Sequence, residues 1–160
     1  MIMKRTFSIL LACCLSILVN AQNLVPTNWT AYGLVFDAPS GIRVEEDTED
    51  TYLLNSSRFY ITLQALDSDD ITQGELDDLL IALAKDDGVK NLSAITNYDL
   101  PQFHGLYLTG VLEEDPCYYA CLLTKDAGNA FYVSFIYNRV EAKTVERMLK
   151  SFKMEEEMEE

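Results

Sequence analysis

The sequence predicts an α+β domain: an antiparallel sheet of about five to seven strands, ending in a three-stranded meander and packed by two helices at residues 73–86 and 140–152. Three observations point to it. Phe103–Tyr137 is dense in β-branched and aromatic residues and is broken twice by turn residues, Glu113-Glu114-Asp115-Pro116 and Asp126-Ala127-Gly128-Asn129. Those breaks give strands over Gly105–Leu112, Cys117–Thr124 and Ala130–Tyr137. The segment before it has a helix start, Thr72-Gln73-Gly74-Glu75, with Thr and Glu at capping-box spacing and Ile71 and Leu76 at staple spacing. The segment after it puts Val145, Met148, Leu149 and Phe152 on one helical face.

Taken in order, Asn23–Thr30 reads as a short polar leader containing Pro26 and Trp29. Tyr32–Phe36 reads as a strand stopped by Asp37-Ala38-Pro39-Ser40-Gly41, and Ile42-Arg43-Val44 as a short continuation. Glu45-Glu46-Asp47-Thr48-Glu49-Asp50 reads as a loop, because like charges repel and resist burial. Tyr52–Leu54 and Phe59–Leu66 flank Asn55-Ser56-Ser57-Arg58 as a hairpin. In the second of these strands Phe59, Ile61, Leu63 and Ala65 alternate with Tyr60, Thr62 and Gln64. The helix from Gln73 to Asp86 carries Leu76, Leu79, Leu80 and Leu83 as an apolar stripe, acids near its start, and Gly88 as C-cap. Ser93–Leu100 reads as a further strand, ended by Pro101. Residues 22–153 are thus one domain, and the charged stretch 154–160 reads as a disordered tail.

The first 21 residues have the pattern of a signal peptide: Lys4 and Arg5, an apolar run Phe7–Val19, then Val19-Asn20-Ala21 as a cleavage site. The run is shorter than the roughly 20 residues a membrane span needs. Leu10-Leu11-Ala12-Cys13 offers an alternative, a lipobox with Cys13 lipidated, but the residues that follow are apolar rather than a polar tether. The expected location is the periplasm or exterior of a Gram-negative bacterium. Cleavage leaves Cys117 and Cys121, four apart on a strand and so about 13 Å between Cα atoms, too far to bridge. They read as two buried, unpaired thiols.

Without Lys4 and Arg5 the 12 basic residues become 10, against 26 acidic ones, a formal charge of −16. Such a chain disfavours nucleic acid and anionic membrane surfaces, which demand Lys and Arg.

No catalytic constellation is legible. His104 is the one histidine and has no nucleophile at a recognisable spacing. Asp67-Ser68-Asp69-Asp70 with Glu75 invites a calcium reading, yet Ile71 and Thr72 fall where an EF-hand loop needs an oxygen ligand and a glycine. No metal and no cofactor is therefore expected. Paired carboxylates for a hydrolase remain an alternative, although no acid stands inside an apolar run. The surface feature that remains is aromatic. If Leu106, Leu108, Phe131, Val133 and Phe135 form the buried face, Tyr107 and Tyr132 lie opposite with Tyr60, and Tyr118 joins them. A platform of Tyr60, Tyr107, Tyr118 and Tyr132 would recognise an envelope protein, a peptide or a glycan, because tyrosine gives contact area at low entropy cost.

The opening Val35-Phe36-Asp37-Ala38-Pro39-Ser40-Gly41-Ile42 and the closing passage from strand Phe131–Tyr137 through a helix to Ser151-Phe152 resemble the PsbP/Mog-like α+β domains. The likeness extends over most of the chain after the signal segment. It implies a non-enzymatic accessory or binding domain, and it transfers no functional residue. The sequence reading is therefore an exported, non-catalytic binding or structural domain. A carboxylate-based hydrolase and a lipid-anchored surface protein are the alternatives.

Overall fold

The computed structural model describes residues 23–156, so the expected signal segment, the alternative lipobox at Cys13 and the last residues of the acidic tail lie outside it. The chain runs β1 (Leu24–Trp29), β2 (Leu34–Pro39), β3 (Arg43–Asp47), β4 (Thr51–Asn55), β5 (Phe59–Leu66), α1 (Leu76–Asp86), β6 (Thr96–Asn97), β7 (Phe103–Leu112), β8 (Asp115–Thr124), β9 (Ala130–Tyr137), α2 (Ala142–Lys150) and β10 (Lys153–Met154). A seven-stranded antiparallel sheet is ordered β3-β4-β5-β9-β8-β7-β6, with the expected meander at its centre. A second sheet, β1-β2-β10, has three strands and was not foreseen as separate.

The large sheet is a wall between two cores. On one side lie Leu76, Leu80 and Ala84 of α1 over Leu106, Leu108, Cys121 and Tyr132. On the other lie Trp29, Leu34 and Phe36 of the small sheet, with Val145, Met148 and Leu149 of α2, over Ile61, Leu122, Phe131, Val133 and Phe135. Burial on both faces is why β8 and β9 read as nearly continuous apolar runs rather than as alternating ones.

Several elements depart from the sequence reading. The expected polar leader is strand β1, and Trp29 at its end is fully buried. Its indole N–H donates to the Thr48 carbonyl at 2.7 Å, tying the small sheet to the β3–β4 turn. The acidic run is not all loop: Glu45, Glu46 and Asp47 belong to β3, an edge strand with every residue exposed, so its charges stay solvated. Ser93–Leu100 yields only the two-residue β6. Helix α2 is shorter than 140–152, starting after Glu141 and ending at Lys150. The stretch expected to be a disordered tail begins inside β10, where Met154 pairs with Leu34, and the Glu155 N–H donates to the Gly33 carbonyl.

Two strand glycines are fixed by close approach. A Cβ on Gly110 would sit 2.4 Å from a Val89 methyl and 2.9 Å from the Lys90 carbonyl. One on Gly105 would strike the Tyr98 backbone and ring, which cover it across the β6 edge.

The β7–β8 hairpin turns on Glu113-Glu114, closed by the Leu112–Asp115 pair, with φ of 48° and 78°. Two successive positive φ values make the tight turn whose twist matches its strands, but they suit Asn-Gly rather than Glu-Glu. The double substitution Glu113→Asn with Glu114→Gly is expected to stabilise the domain by about 1–2 kcal/mol. Urea denaturation should show a higher midpoint with an unchanged slope, and a lower midpoint would contradict this reading of the turn.

Candidate functional site

The register decides what the predicted aromatic platform becomes. Leu106 stands opposite Cys121, Cys121 opposite Tyr132, and Tyr132 opposite Gln64, so Leu106 and Tyr132 share the face under α1. Tyr107 stands opposite Ala120, Ala120 opposite Val133, and Val133 opposite Leu63, which places Tyr107 on the other face with Phe131 and Phe135. The sequence reading buried all five of Leu106, Leu108, Phe131, Val133 and Phe135, and all are buried, but it set them on one face. Tyr60 and Tyr132 therefore lie on one side of the sheet, Tyr107 and Tyr118 on the other, and the four make no common platform. With both faces apolar, alternation within a strand could not reveal register, and a slip of one residue exchanges the faces.

Each of the four has a definite setting. Tyr118 is buried in a row of rings, Tyr98, Tyr107, Tyr118 and Tyr137, with centroids 5.4, 5.6 and 6.2 Å apart in sequence along the row. Its hydroxyl donates to Glu146 Oε1 on α2 at 3.0 Å. Burial, then the hydrogen bond and charge of Glu146, raise its pKa beyond the ordinary phenol range. On the opposite face Tyr132 packs against Tyr119 at 5.6 Å and its hydroxyl donates to Asp87 Oδ2 at 3.3 Å, just past the end of α1. Burial first, and the Asp87 carboxylate second, raise the pKa of both phenols. These rings cement helices to sheet. Tyr60 is different, with 41% of its surface exposed.

Tyr60 marks the part of the sheet that α1 leaves uncovered. The helix packs on β7 and β8, and beyond β9 the same face presents Leu53, Tyr60, Thr62, Gln64 and Ile136, all partly or fully exposed. Its outer rim is β3, where Glu46 stands opposite Leu53 and the Glu45 carboxylate accepts from Asn55 and from Arg43. Those two hydrogen bonds hold the Glu45 carboxyl below its usual pKa.

A recess of about 650 Å³ opens between Tyr32-Gly33, Pro101-Gln102, the β8–β9 turn and Met154–Glu156. Its groups serve the turns that form it: Asp126 Oδ1 accepts from the Thr124 hydroxyl and the Gly128 N–H, which lowers its pKa, and Gln102 Oε1 accepts from the Met154 N–H.

The remaining candidates fall into structural settings. His104 Nδ1 lies 3.5 Å from Asp99 Oδ1, without hydrogen-bond geometry. The Asp67 carboxylate accepts from the Asp69 N–H and Glu75 Oε2 from the Thr72 N–H, so both cap helical turns. Among the described residues no three His, Cys, Asp or Glu side chains gather as a metal site. Cys117 and Cys121 are free and buried on the α1 face, as read from the sequence. Burial pushes their thiols up to about 11 and about 12, which keeps them protonated and unreactive.

The family described as dihydro-orotase-like matches residues 12–141. Among solved structures, the Saccharomyces cerevisiae Ran-binding protein Mog1p is similar with a TM-score of 0.59 at 10% identity, over 84% of this chain and 96% of that one. A mutant of protein Mog1 is similar with a TM-score of 0.60 at 9% identity, over 82% of this chain and 96% of that one. The search of curated protein sequences returned no match. The chain has the Mog-like fold, and the resemblance noted in the sequence holds at that level.

Proposed function

We propose that this chain, which belongs to the dihydro-orotase-like family, is an exported, non-catalytic domain that binds another protein. The observation that carries the reading is the fold, shared over 96% of the Ran-binding protein Mog1p. On this reading the property carried over is protein binding, and the partner of an exported chain is an envelope or extracellular protein. The uncovered sheet face around Tyr60 supports the same reading, since it is half-apolar, exposed and built on paired strands. Export rests on the basic, apolar and small-residue pattern of residues 1–21.

The family's name favours a second reading, hydrolysis of a cyclic amide, and with it the carboxylate-based hydrolase weighed above. Against it stand the settings of Asp67 and Glu75, which cap turns, and of Asp87 and Glu146, which accept from buried tyrosines. One preparation separates the readings. The protein purified from its native envelope is expected to begin at Gln22 by intact mass, to carry no lipid, and to leave dihydro-orotate unchanged. A lipidated Cys13 would replace the free exported form with an anchored one. Ring opening above a blank reaction would overturn the non-catalytic assignment.

A further inference from the structure

We infer that the free edge of the large sheet at β3 takes up an extended, lysine- and arginine-rich segment of a partner protein as an added antiparallel strand. The inference deepens the binding-domain reading and rests on it. Among the described residues β3 is outermost, pairs only with β4, and makes no backbone hydrogen bond on its outer side. Such an edge is a template for another strand. The other edges of the two sheets are poorer templates: β6 and β10 have two residues each, and β1 contains Pro26, which cannot donate. All five residues of β3 are exposed, Val44 to 45%.

Charge selects the occupant. Glu45, Glu46 and Asp47 lie on the strand, and Glu49 and Asp50 follow in its turn. The one cation, Arg43, is held by Glu45 at 2.7 Å. A second copy of this edge, paired antiparallel about its centre, would set Glu45 against Glu45 and add to a strongly acidic rim, which opposes pairing, whereas a basic strand sets opposite charges side by side. The edge thus disfavours self-association and admits a cationic guest by the same residues. The bulge at Glu45, where the register steps from Val44–Leu54 to Glu46–Leu53, fixes where a guest can pair. Side chains of the guest on the Glu46 side continue the row Glu46, Leu53, Thr62 onto the uncovered face.

The test uses the mature chain and a fluorescein-labelled peptide of alternating Lys and Val, about ten residues long. Fluorescence anisotropy is expected to show saturable binding that weakens with salt. Glu46→Lys with Asp47→Lys is expected to weaken it about tenfold, and N-methylation of alternate peptide amides to weaken it at least as much, with thermal unfolding of the variant unchanged. Amide exchange at Val44–Asp47 should slow in the complex. Equal binding by the N-methylated peptide, indifference to the charge reversal, preference for an alternating Glu and Val peptide, or self-association through β3 would overturn the inference. A native partner that crosslinks only away from β3 would also overturn it while leaving the binding-domain reading intact.

Discussion

Replacing Trp29 with alanine is expected to remove about 3–5 kcal/mol of stability, a large share of what a domain of this size has to lose. The ring is fully buried at the junction of the two sheets. It lies nearly parallel to Tyr52 at 6.0 Å, meets Tyr32 edge-on at 4.8 Å, and contacts Phe131 of the large sheet at 5.9 Å. Its N–H satisfies the Thr48 carbonyl. Alanine would leave a cavity and an unpaired carbonyl together. Trp29→Phe separates the two effects, keeping most of the ring while losing the hydrogen bond, with a cost of about 1–2 kcal/mol. Because Trp29 is the only tryptophan, unfolding in urea must be followed by circular dichroism. A loss for the alanine variant under about 1 kcal/mol, the size of an ordinary substitution, would mean that the small sheet is not docked through this residue.

The second large effect is alkaline unfolding. Tyr118, Tyr119 and Tyr132 are nearly inaccessible to water. Burial raises the pKa of each, and nearby acids raise it further: Glu146 for Tyr118, Asp87 for Tyr119 and Tyr132. In the unfolded chain these phenols ionise near the ordinary value of about 10. A group whose folded pKa is raised contributes stability that is whole below the unfolded pKa and is lost as pH climbs past it. Each such tyrosine removes about 1.4 kcal/mol per pH unit above that point, so three remove about 4 kcal/mol per unit. The ultraviolet rise of tyrosinate is therefore expected to include a cooperative step that coincides with loss of the far-ultraviolet dichroism. A smooth titration of all nine tyrosines with dichroism intact would contradict the buried settings assigned to these rings.

Local signals carried a good part of this fold. The Thr72–Glu75 pairing, the leucine stripe and the turn residues of the meander each act over a few residues. The helix, hairpins and central strands stand close to where those signals put them, although α1 starts at Leu76 after a tighter turn at Gln73–Glu75, and β8 begins at Asp115, inside the expected turn. What was not legible depends on distant partners. Leu24–Trp29 lacks a run of β-formers, and only its pairing with Leu34–Pro39 makes it a strand. Lys153–Met154 is ordered for the same reason, by β2. Within the acidic run Glu45, Glu46 and Asp47 are strand rather than loop, because an outermost strand exposes its charges, while Thr48, Glu49 and Asp50 form the expected loop. For the candidate site, Tyr60 was correctly set outward by the alternation of β5, which has one open face. Tyr118 and Tyr132 stand on β8 and β9, which are buried on both sides, and there alternation says nothing about which face is which; the half-buried Tyr107 on β7 takes its face from their register.

The central claim is that this domain acts by binding a protein at the uncovered end of its sheet, and site-specific photocrosslinking in the native cell tests it most directly. A photoreactive phenylalanine analogue would replace Tyr60 in one strain and Lys143, an exposed residue on helix α2, in another. The account predicts a discrete crosslinked protein adduct in the envelope fraction from position 60 and none from position 143. Absence of an adduct at position 60, or equal adducts at both positions, would contradict it.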